Sequence, residues 1–136
     1  MILRQDDDAN LRGSYHSLVG RDPGIRPLRG RTGDPDGSRQ MLAFSVCFIV
    51  KSKERGTLHS TCAWCGWAKH EPTSTLIETH WLLTSSPASD DDEWSSHLIG
   101  EDEFLRIGDA PDEAHEQEFL SDLDSIKKMY QDASRG

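Results

Sequence analysis

Leu, Ile, Val and Phe together supply only 27 of the 136 residues, and that scarcity bounds every fold the chain can adopt. At about a fifth of the sequence, such a content lies near the level at which a highly charged chain buries too little apolar surface to offset its ordering entropy. One small core is therefore expected, with part of the chain unable to fold by itself. The formal charge of −9 argues against non-specific attachment to DNA phosphates or anionic lipid, because both select basic surfaces. No apolar run reaches the length of a membrane-spanning helix, and the opening MILRQDDD lacks the charged-then-apolar order of a signal peptide. The expected location is cytoplasmic.

The charge divides the chain into parts. Residues 1–40 hold seven Arg, no Lys and six Asp among scattered Gly and Pro, with no helical or strand period. They are expected to form a disordered arm, and the internal Met41 at the head of the first patterned stretch raises the alternative that 1–40 lies upstream of the working start. Residues 41–87 are near neutral and hold all three Cys and three of the four Trp. They are the expected folded unit. Residues 88–136 carry fifteen Asp or Glu against four Lys or Arg, and within them 88–110 reads as an acidic linker.

In the middle unit, LAFSVCFIV alternates Leu42, Phe44, Val46, Phe48 and Val50 against Ala43, Ser45, Cys47 and Ile49, the period of a strand. A polar turn ending in Gly56 follows, and TLHSTCAWC returns as a second strand. Beyond Pro72, the residues Leu76, Ile77, His80 and Leu83 fall on one helical stripe. The expected fold class is α+β: a small ββα unit of zinc-finger type, a C-terminal amphipathic helix and a disordered N-terminal arm.

CAWCGW, residues 62–67, carries the chemistry. Two cysteines three apart can bind one Zn²⁺ when a turn presents both sulfurs. A redox pair is not expected, because such pairs sit at a helix N-terminus and here Gly66-Trp67 follow. The expected ligands are Cys62, Cys65 and His80, with His70 as the favoured fourth; Cys47, His59 or water are alternatives. The C₂H₂ pattern fails after His80 and the CCHC pattern fails at Thr75. Over residues 58–86 the chain resembles short CxxCGW…His zinc-finger-like proteins of actinobacteria and their phages. That resemblance implies a zinc-stabilised fold, with an adaptor or inhibitor role consistent with it and no specific activity.

The expected function is a non-enzymatic protein-interaction module; the alternative is nucleic-acid binding through Trp64, Trp67 and Lys69. A helix over 111–133 is predicted from Asp109, Pro111 and the acidic first turn, with Phe119, Leu120, Leu123, Ile126 and Tyr130 forming a partner-binding stripe. No phosphate loop, GxSxG or acid–base pair is present, so no catalytic residue is expected.

Overall fold

The computed structural model describes residues 1–16, 24–87, 89–116, 118, 119 and 122. Its strands are β1 (Ile2–Gln5), β2 (Asn10–Tyr15), β3 (Arg26–Asp36), β4 (Arg39–Ser52), β5 (Gly56–His70), β6 (Thr75–Ser85) and β7 (His97–Leu105). Each pairs antiparallel with the next, giving one seven-stranded sheet in the order β1 to β7. Two short 3₁₀ turns, Asp90–Ser95 and Glu113–His115, complete the regular structure.

Local chemistry sets the hairpins. Asp36 pairs with Arg39 across a two-residue turn in which Gly37 takes φ +60°. Gly tolerates that conformation without a Cβ penalty, and such a turn matches the strand twist. Before β2, the carboxylate of Asp6 accepts from the backbone N–H of Asp8 and of Asn10, both at 2.9 Å, and these bonds fold the chain back on itself.

Alternating side chains then define two faces. Leu11, Leu28, Leu42, Phe44, Val46, Cys62, Trp64 and Ala68 form the buried core, with Leu3, Tyr15, Phe48, Ile77, Trp81, Leu83 and Phe104 packed against it. The sheet must be strongly curled. Tyr15 on β2 and Trp64 on β5 are three strands apart, about 14 Å in a flat sheet, yet their ring centroids lie 5.1 Å apart. Phe44 on β4 and Phe104 on β7 likewise approach to 6.2 Å. These contacts lie on the concave face. Arg12, Arg29 and Arg31 lie on the other, exposed face.

Among the described residues β1 and β7 are the two ends of the sheet. A cleft of about 740 Å³ opens at one end of the curl, lined by residues of every strand, among them Leu3, Leu11, Thr32, Leu42, Ile77 and Phe104. Downstream of β7 the chain crosses to β1 and β2. Arg4 donates to the Pro111 carbonyl at 2.5 Å and to Glu116 at 2.9 Å, and Ser14 donates to Glu116 at 2.7 Å.

This architecture corrects the expected α+β class. Residues 1–40, expected to be a disordered arm, contain β1, β2 and β3: their arginines decorate the outer face while Leu3, Leu11, Tyr15 and Leu28 pack inside. The expected helix after Pro72 is strand β6. Its β-branched Thr75, Ile77, Thr79 and Thr84 favour extended backbone, and Ile77, Thr79, Trp81 and Leu83 alternate onto the concave face. The expected linker 88–110 contains β7. Of the expected helix over 111–133, the structure describes one 3₁₀ turn and helical backbone at Glu116, Glu118, Phe119 and Asp122. Leu120, Leu123, Ile126 and Tyr130 lie outside the described residues.

Candidate functional site

The β5–β6 register reflects the chain about the Pro72–Thr73 bond, so Trp64 meets Trp81 and Cys65 meets His80. On the concave side this sets Trp64 between Phe44 on β4 and Trp81 on β6. Opposite Trp81 on β7 stands Gly100. A Cβ there would lie 2.2 Å from Trp81 Cζ2, so the missing side chain is what lets the indole lie over β7.

Aromatic rings surround Trp64, which is itself only 3% exposed. Phe44 stacks on it with centroids 5.2 Å apart, and Tyr15 tilts against it at 5.1 Å while also touching Phe48 edge-on at 5.9 Å. A buried indole N–H needs an acceptor. Trp64 Nε1 donates to Asp102 Oδ2 at 2.8 Å, and Thr79, also buried, donates its hydroxyl to the Asp102 carbonyl at 3.1 Å. These two bonds hold Asp102 from side chain and backbone at once. The Cys62 thiol is pushed up to about 11, first by burial and then by the Asp102 charge, and therefore stays protonated and unreactive at neutral pH.

Chemically, this is an apolar aromatic wall with a fixed acceptor, Asp102. An ionised carboxylate offers about four lone-pair positions, and the Trp64 bond uses one of them. A compact ring carrying N–H donors is the kind of ligand that such a surface orients.

The structure does not assemble the expected zinc site. In a strand, successive side chains point to opposite faces, so Cys62 and Cys65, three apart on β5, face opposite ways. Cys62 is buried and Cys65 exposed. His80 lies beside Cys65 on the outer face, where its Nε2 pairs with Glu101 at 2.9 Å. His70 stands five residues further along β5, about 17 Å away, and approaches Thr75 at 3.3 Å. Cys47, an alternative ligand, is exposed and contacts Thr61 at 3.6 Å, while His59 pairs with Ile49 on the outer side. Among the described residues no group of three or more His, Cys, Asp or Glu is placed to hold a metal ion. The Zn²⁺ expectation is overturned.

The aromatic surface expected to meet nucleic acid is likewise dispersed. Trp64 is interior, whereas Trp67 is on the outer face, donating to Glu78 at 2.8 Å under Arg39. Lys69 pairs with the same Glu78 at 2.6 Å. Phe119, from the expected partner-binding stripe, lines the 740 Å³ cleft and is 38% exposed. Sequence reasoning passed over Tyr15, Thr79 and Asp102. The reflection about Pro72 was the available signal, since it pairs the two tryptophans at once.

A curled antiparallel meander with an aromatic interior and an anchored carboxylate defines the class of small β-barrel-type binding proteins. The avidin family model matches residues 1–107, most of the chain, and the chain belongs to the avidin family. That match replaces the zinc-finger resemblance and the zinc-stabilised interaction module expected from it, including its nucleic-acid alternative. The family is one of non-enzymatic binding proteins, and this chain is not an enzyme. Among curated proteins none matches the chain.

Proposed function

We propose that the chain binds biotin, or a ligand of the same chemistry, on the concave face around Trp64 and Asp102. Biotin presents a flat cyclic urea with two N–H donors, fused to an apolar sulfur-containing ring. The Trp64–Asp102 bond of 2.8 Å carries this reading: it fixes a charged acceptor at the edge of an aromatic wall, where a ureido N–H gains a charge-assisted bond and the ring system gains apolar contact with Tyr15, Phe48 and Trp81. Membership of the avidin family supports it.

The test is calorimetric titration of the full chain with biotin, for the native protein and for Asp102→Ala. Hydrogen bonds to charged groups contribute about 1.5–3 kcal/mol, so the substitution weakens binding by roughly ten- to more than a hundredfold. Absence of heat at millimolar biotin rejects the proposal. Equal affinity of the two proteins rejects the role of Asp102.

A further inference from the structure

Arginine is gathered on one part of the outer face. Arg12 on β2 stands directly opposite Arg29 on β3, and Arg31 lies two residues beyond Arg29 on the same side. All three are exposed. Directly opposed side chains start about 5 Å apart and diagonal ones about 7–8 Å, so three guanidinium groups can converge on one anion. Like charges in direct opposition are destabilising, yet among the described residues no carboxylate forms an ion pair with any of the three. Arg29 donates to the Leu28 carbonyl at 2.9 Å and Arg31 to the Asp8 carbonyl at 3.4 Å, which leaves most of the N–H donors of each guanidinium unused. Asp6 does feel the charge of Arg12, but its carboxylate is occupied by its own turn, accepting from the backbone N–H of Asp8 and Asn10 and from the Asn10 amide. Asn10 is accordingly the chief cause of its lowered pKa and Arg12 the smallest.

The patch is bounded, and its bounds select the occupant. Toward β4 the next residues are Ser45, opposite Arg29, and Ala43, opposite Arg31. Toward β1, Arg4 stands opposite Arg12 but is paired with Glu116 at 2.9 Å. A convex face does not enclose a small molecule, which needs a concave site, so the anion has to be presented by a larger partner. Nucleic acid calls for a longer basic track, and an anionic membrane repels the remaining surface of a chain of net charge −9. A carboxylate brings one charge and two oxygens. A phosphorylated side chain brings about two charges and three acceptor oxygens, which matches three guanidinium forks.

We propose that Arg12, Arg29 and Arg31 form a docking site for a phosphorylated serine or threonine on an extended segment of a partner protein. The arginine forks hold the phosphate oxygens by charge-assisted hydrogen bonds, and the bound dianion relieves the repulsion between Arg12 and Arg29. The site lies across the sheet from Trp64 and Asp102 and does not depend on the ligand held there.

The probe is a dye-labelled seven-residue peptide of glycine and serine with a central phosphoserine, acetylated and amidated, titrated against the full chain by anisotropy at about 50 mM salt. Saturable binding is expected, about tenfold or more tighter than for the same peptide with unmodified serine and about threefold or more tighter than with glutamate in its place. In a ¹⁵N–¹H spectrum the amide signals that move should be those of 10–14 and 28–32. Arg29→Ser should weaken binding about tenfold while leaving the thermal midpoint equal or higher, because it removes the opposition to Arg12. Arg39→Ser removes the same charge elsewhere on the outer face, over Trp67, and should change the affinity by less than about twofold. Equal binding of the phosphorylated and unmodified peptides, or no saturable binding, overturns the proposal. So does an equal loss in the two variants, or tighter binding of a single-stranded oligonucleotide or of phosphatidylserine vesicles than of the phosphopeptide.

Discussion

Trp64 on β5 reaches past β6 to place its indole N–H on the Asp102 carboxylate of β7, at 2.8 Å. The bond ties the middle of the meander to its last strand and sets a carboxylate against the aromatic cluster. Removing the donor alone should therefore affect more than packing. Trp64→Phe leaves the carboxylate short of a partner in a half-buried place, and a loss of about 2–4 kcal/mol in denaturant unfolding is expected. A double substitution with Asp102→Ala should recover part of that loss; strict additivity would show that the bond is not coupled to the fold.

Trp81 and Gly100 form a second dependency. Since a Cβ at Gly100 meets the indole ring at 2.2 Å, Gly100→Val should displace Trp81, lower stability by about 1–3 kcal/mol and change the near-ultraviolet circular dichroism. An unaltered aromatic spectrum would mean that the ring does not lie over β7.

The cysteines test the strand against the metal site. Cys47 and Cys65 are exposed, while Cys62 is buried with its thiol raised to about 11. A disulfide-exchange reagent at pH 8 should modify two thiols rapidly and the third only on unfolding, with no stability lost on treatment with a chelator. Three equally reactive thiols would contradict the inward placement of Cys62.

This pair also shows how much could be read from sequence. The alternation in 42–50 and the turn before Gly56 were legible, because both are local and one period explains them. The spacing of Cys62 and Cys65 was ambiguous: it brings two sulfurs together in a turn and sends them apart in a strand. Leu76, His80 and Leu83 fit a helical stripe as well as Ile77, Thr79, Trp81 and Leu83 fit a strand, and only pairing with β5 decides between them. In 1–40 the exposed Arg12, Arg29 and Arg31 masked the inward Leu11, Tyr15 and Leu28. In 97–105 the acids masked the alternation of Leu98, Gly100, Asp102 and Phe104. Site residues on five different strands meet only once the sheet has curled.

A pH dependence follows from Glu116, whose carboxyl is held below its ordinary value by the Ser14 hydrogen bond and then by Arg4, against an opposing effect of burial. A depressed folded pKa contributes stability above the unfolded value, near 4.5, and that contribution is lost as pH falls through the lower folded value. Unfolding midpoints measured from pH 6 to 3 should decline less for Glu116→Gln than for the native chain. Parallel declines would remove the Arg4–Ser14–Glu116 contact from the account.

The core sets the scale for these effects. Leu28 is fully buried on β3, and Leu28→Ala should cost about 2–5 kcal/mol, measured by urea unfolding. A cost under about 1 kcal/mol would place the core elsewhere.

The central claim is that a biotin-type ligand sits against Trp64 and Asp102 on the concave face, and the indole N–H resonances test it most directly. In a ¹⁵N–¹H spectrum of the full chain, added biotin should shift the Trp64 Nε1 signal strongly, since its acceptor Asp102 gains a second donor. The Trp67 Nε1 signal, tied to Glu78 on the outer face, should stay in place. An unmoved Trp64 signal at saturating biotin, or a shift confined to Trp67, would contradict the account.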